Sequence, residues 1–124
     1  MFMKIARKRF EEIVGEGLDE LPREIAEAMT NVFVVVEDWP SPELLRKMKL
    51  RNRYQLLGVY EGIPLLKRNI AYSALPDRIV IFQKPIEAIC SSEFELREEI
   101  KKVVVHEVAH HFGISDRRLR ELGY

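Results

Sequence analysis

Ser92 and Glu95 stand at the spacing of a capping box, in which each side chain satisfies an orphan backbone donor at the start of a helix. The long helix they open runs through about Phe112, and Gly113 is placed to end it, since glycine takes the left-handed backbone of a helix C-terminus without steric cost. That helix contains His106, Glu107, Val108, Ala109 and His110, an HExxH pattern. Positions i and i+4 of an α-helix lie one above the other on one face, so two imidazoles can point at a single metal ion. Glu107 is rotated by about 100° from His106 on a 3.6-residue helix and sits beside the ion, where a carboxylate can hold water. Zinc brings the pKa of such water towards neutrality, and the neighbouring carboxylate can take its proton and pass it to a leaving amine.

A catalytic zinc needs three protein ligands and one open position. The turn at Gly113 can bring Asp116 back to the metal, and His106 to Asp116 then reads HExxHxxGxxD, the metzincin layout with aspartate in place of the third histidine. All three histidines of the chain fall between His106 and His111, which argues for a shared purpose. The contrary reading makes the histidines favourable partners of the helix C-terminal dipole and Asp116 a first-turn acid of a last helix capped by Ser115. It gives no reason for the offsets of Gly113 and Asp116. His111 lies about 100° round from His110 and is not expected on the same ion. Its role stays open between support of the ligands, contact on the oxyanion side and packing.

With 124 residues and 47% hydrophobic content the chain has the size of one domain, 1–124, with one real core. Lysines and arginines number 20, as do aspartates and glutamates, so no net charge draws the protein to nucleic acid or to an anionic membrane. The basic cluster from Arg46 to Arg53 reads as a solvated face. Cys90 is the single cysteine, which excludes an internal disulfide and fits a reducing compartment. The N-terminal residues are followed by Glu11 and Glu12 where a signal peptide would be apolar, and no apolar run has the length of a bilayer span. A cytoplasmic location is expected.

Ile5, Phe10, Ile13 and Val14 recur at helical spacing, with Gly15 and Gly17 as the expected stop. Pro22 suits the first turn of a second helix, and Val32 to Val36 reads as a buried strand. Ser41 and Pro42 start a short helix through about Lys49. Tyr54 to Glu61 and Arg78 to Gln83 read as strands, Leu65 to Leu75 as loop or weak strand, and Pro85 to Cys90 as a helical turn. The sum is an α+β domain with a small mixed sheet of three to four strands packed on helices.

HEVAHHFGISD, together with LPDRIVIFQKPIE from Leu75 to Glu87, resembles the two characteristic stretches of the minimal zincins, small single-domain bacterial proteins described as zinc metallopeptidases. The resemblance covers most of the chain. It implies a compact zincin-like fold, zinc held by His106, His110 and Asp116, and Glu107 as catalytic base of a metalloendopeptidase, with a peptide or protein as substrate. By analogy with larger zincins, Arg78 to Gln83 is expected as the sheet edge along which an extended peptide lies; the alternative is a core strand with Ile79 and Ile81 on one face. All four methionines lie far upstream of the motif, so no Met-turn floors the metal. The cleft is expected to be open unless a protein partner closes it. Two other classes compete: a non-catalytic zinc-binding interaction module, and a metal-dependent endoribonuclease. Glu107 and the balanced charge speak against the second.

Overall fold

The computed structural model describes residues 4–62 and 76–124; the expectation for Leu65 to Leu75 lies outside them. In chain order the elements are α1 (Arg7–Asp19), α2 (Arg23–Ala28), β1 (Val32–Glu37), α3 (Pro42–Lys47), a 3₁₀ turn (Arg53–Gln55), β2 (Gly58–Glu61), β3 (Asp77–Phe82), α4 (Gln83–Glu87), α5 (Glu93–Phe112) and α6 (Asp116–Glu121). The fold is α+β, with six helices and a three-stranded mixed sheet among the described residues. The strand order is β1-β3-β2, with β1 parallel and β2 antiparallel to β3.

The long helix forms as its sequence signals require. Ser92 Oγ accepts the backbone N–H of Glu95 at 3.1 Å, and Gly113 closes the helix at φ 73°, ψ 27°. The reciprocal half of the box takes another form: the Glu95 carboxylate accepts a hydrogen bond from Ser91 Oγ at 2.6 Å. Leu96, Ile100, Val104, Val105, Val108 and Ala109 form the buried stripe of α5. Against it pack Phe10, Ile13 and Val14 of α1, Ile25 of α2, and Ile79 and Ile81 of β3. Val80 and Phe82, on the other face of β3, join Leu56, Val59 and the leucines of α3 in a second, smaller cluster.

Three sequence expectations are corrected. Gly15 and Gly17 do not stop α1, which runs through both to Asp19. Gly17 is where α1 crosses α5: a Cβ there would lie 3.3 Å from Lys101 Cγ and 3.6 Å from the carbonyl oxygen of Arg97. The apolar run of β1 is not fully buried: β1 lies at one side of the sheet among the described residues, and Phe33 stays 64% exposed. The segment Tyr54 to Glu61 divides into the 3₁₀ turn, capped by Asn52, and a strand that begins only at Gly58.

Gln83 and Glu87 are the buried polar residues of the molecule's described part, and both tie the N-terminal segment to α4. The Glu87 carboxylate accepts the backbone N–H of Ile5 at 3.2 Å and the Gln83 amide at 2.8 Å. That amide also donates to the carbonyl of Ile5 at 2.9 Å, while Gln83 Oε1 accepts from Arg7 Nε at 2.9 Å. The two buried side chains thus satisfy each other and the backbone beside them, as burial demands. Among the described residues no helix is long and apolar enough to cross a membrane.

Candidate metal centre

His106 and His110 project from the exposed side of α5, opposite the stripe that faces the core. Their ring centroids lie 6.3 Å apart with planes at 60°. Imidazole nitrogens bind zinc at about 2.0–2.1 Å, and residues four apart on a helix share one face, the placement a two-histidine site needs. Neither ring is held by a hydrogen bond among the described residues. The donor chemistry, two nitrogen ligands in register on one helix, therefore suits zinc.

Glu107 lies between them in sequence but turns inward and is half-buried. Its carboxyl is held above the usual carboxylate range because burial disfavours the charged form, a push that His110 partly offsets. Asp116 opens α6 as its first-turn acid, with Ser115 Oγ accepting the Arg118 N–H at 3.1 Å. Its side chain is exposed, and among the described residues no three His, Cys, Asp or Glu side chains converge on one point. The structure thus brings His106, Glu107 and His110 to one patch and leaves Asp116 at the head of α6, beyond the αL turn at Gly113.

An open groove of about 370 Å³ runs beside this patch. His106, Glu107, His110 and Val103 form its helical side, and Met48, Gln55, Leu57 and Gly58 face them. The opposing wall is thus the entry to β2, which corrects the expectation for Arg78 to Gln83. β3 is the central strand, hydrogen-bonded on both sides and buried on both faces, so it has no edge to offer. Among the described residues β2 pairs only with β3, and it is the strand next to the motif. Gly58 permits that closeness: a Cβ there would meet Val103 Cγ1 at 2.5 Å.

His111 points elsewhere. Its ring stacks on Tyr60 of β2, centroids 3.8 Å apart and planes at 15°, and the Tyr60 hydroxyl donates to Asp77 Oδ2 at 2.6 Å. His111 Nε2 lies 3.9 Å from the same oxygen, and Phe112 meets both rings edge-on. Of the roles open to His111, the structure gives it contact with the sheet. Sequence reasoning missed Tyr60 and Asp77, which come from different strands and share no spacing with the motif.

A family profile described as zincin-like metallopeptidase matches residues 29–124. A comparison with curated proteins finds no match. Among solved structures, a conserved hypothetical protein from Thermo thermophilus shares the fold with a TM-score of 0.54 and 21% identity, over 87% of this chain and 94% of that one.

Proposed function

Because the chain belongs to the zincin-like metallopeptidase family, we propose that it is a zinc-dependent peptidase with its reaction centre in the groove beside α5. The observation that carries this reading is the grouping of His106, Glu107 and His110 along one wall of an open groove. In this reading His106 and His110 hold zinc from α5, and Asp116 completes the set through the turn at Gly113. Bound there, zinc supplies a Lewis acid that polarises the scissile carbonyl and makes water nucleophilic at neutral pH. Glu107 accepts the proton of the attacking water on its carboxylate and delivers it to the departing amine. Its half-buried position at the groove wall supports this role. The peptide lies extended beside β2, the strand next to the motif, in the manner of strand addition. The apolar side chains of Met48 and Leu57 flank it.

The test measures metal content and hydrolysis of a mixture of unstructured peptides together. Wild type is expected to hold about one zinc per chain, the ratio of a mononuclear catalytic site, and to cut. Glu107→Gln should keep the metal and lose about 10²–10⁴-fold in rate, the range of general acid-base catalysis. Asp116→Ala should lose metal. The alternative reading is a non-catalytic zinc-binding interaction module. On that reading zinc binds, no peptide is cut by wild type or by Glu107→Gln, and zinc removal loosens the C-terminal segment.

A further inference from the structure

Trp39, the single tryptophan of the chain, walls a second cavity of about 320 Å³ together with Tyr54. It is separate from the groove beside α5: the 3₁₀ turn contributes Tyr54 to the cavity and Gln55 to the groove. The two rings meet edge to face, 5.0 Å apart at 84°. The Arg53 guanidinium lies 3.6 Å from the Trp39 ring centroid, and Lys4 and Lys84 also line the cavity or its approach.

The charge there is uneven. Glu87 is the acidic group of the lining, and its Oε2 is occupied by Ile5 N–H and the Gln83 amide. Its Oε1 meets Lys84 Nζ only at 3.5 Å. Lys4 and Arg53 form no ion pair among the described residues. Some cations elsewhere are closely matched, as Arg9 with Glu93 at 2.7 Å and Lys101 with Glu20 at 3.1 Å, and others on exposed faces, such as Lys8 and Lys102, form no ion pair among the described residues. What sets Lys4 and Lys84 apart is that they line a cavity with aromatic walls. The cavity lining thus sets two lysines against one carboxylate already engaged in holding the fold, with the Arg53 guanidinium close by on the Trp39 ring.

We propose that the cavity binds a small planar anion, its ring against Trp39 and Tyr54 and its carboxylate or phosphate on Lys4 and Lys84. Aromatic walls with a few convergent charged groups are the usual make-up of a small-molecule site. Ring stacking orients the ligand, and charge-assisted hydrogen bonds from the amines select its sign. The volume is near the lower end of the range for such sites, about 300–1,000 Å³, which fits one ring system and its acid group.

Trp39 fluorescence and titration calorimetry test this with four probes: 4-hydroxyphenylacetate, uridine 5′-monophosphate, tyramine and inorganic phosphate. At least one ring-bearing anion is expected to bind saturably with Kd below about 1 mM. Tyramine, the same ring with a cation, and phosphate, an anion without a ring, should bind at least about tenfold more weakly. Lys84→Ala, or Lys84→Gln if the first variant loses its circular dichroism, should weaken the anion about tenfold, as the loss of one charge-assisted bond does. Three results would each overturn the proposal: no saturable binding of either ring anion, tyramine binding as tightly as they do, or affinity unchanged in a folded Lys84 variant. The outcome is independent of peptidase activity.

Discussion

At the scale of single residues, what decides each side chain's chemistry is the surface on which its element places it. Glu107 is half-buried while the flanking His106 and His110 are exposed, so one helical turn holds a sheltered proton acceptor between two accessible nitrogen donors. Cys90 shows the opposite use of burial: desolvation pushes its thiol up to about 11 from an ordinary 9.0. The sign follows directly, since a raised pKa leaves little thiolate below pH 9 and the thiolate is the nucleophile. Native protein at pH 8 is expected to resist iodoacetamide, and unfolded protein in urea to react readily; mass spectrometry reads the difference. Between pH 9 and 11 the unfolded thiol ionises before the folded one, so this group withdraws stability as pH rises through that window. The Tyr60 hydroxyl gives a second test. Tyr60→Phe keeps the stack on His111 but leaves Asp77 without this partner, and should cost about 1 kcal/mol in urea denaturation.

At the scale of elements, the sequence was most readable where local signals act alone. The capping serine, the helical motif and the terminating glycine marked out α5 to within a residue or two, because caps and periodicity are properties of neighbouring residues. The same reasoning failed at Gly15 and Gly17, whose stop signal was overruled by packing of α1 on α5. The two glycines now separate. Nothing lies within 4 Å of a Cβ at Gly15, so Gly15→Ala should stabilise the protein by about 1 kcal/mol through helix propensity. Gly113, at φ 73°, should behave in the opposite way, with Gly113→Ala costing about 1 kcal/mol for the left-handed backbone. Thermal unfolding of both variants checks the pair. Strand order was not readable, because an apolar run such as Val32 to Val36 has the same composition at an edge as at a sheet centre. The candidate peptide edge therefore had to pass from β3 to β2 once the topology was known.

At the scale of the whole molecule, residues distant in sequence meet through two kinds of contact. One is the ion-pair ladder between α1 and α5, from Arg9 and Glu93 at one end to Glu20 and Lys101 at the other. The other is the buried bond set of Glu87 and Gln83 with Ile5, across 82 residues of chain. Exposed pairs contribute little singly, at most about 1 kcal/mol. The buried set is different, and Glu87→Ala should cost about 2–3 kcal/mol by leaving the Ile5 N–H and one of the two Gln83 amide hydrogens without an acceptor. Chemical denaturation measures it. No sequence signal announced that set, since Gln83 read as the end of a strand and Glu87 as an ordinary polar position of a helical turn. The central place of α5 also bears on how the protein is made. Sheet and α1 alike are covered by a helix that the ribosome delivers after residue 92, and β1 must wait for β3, whose Asp77 pairs with Val32. Contacts of such long range make folding slow. A nascent chain whose tunnel still holds α5 has an uncovered sheet face, so the core is set to close only once the helix that carries the motif emerges.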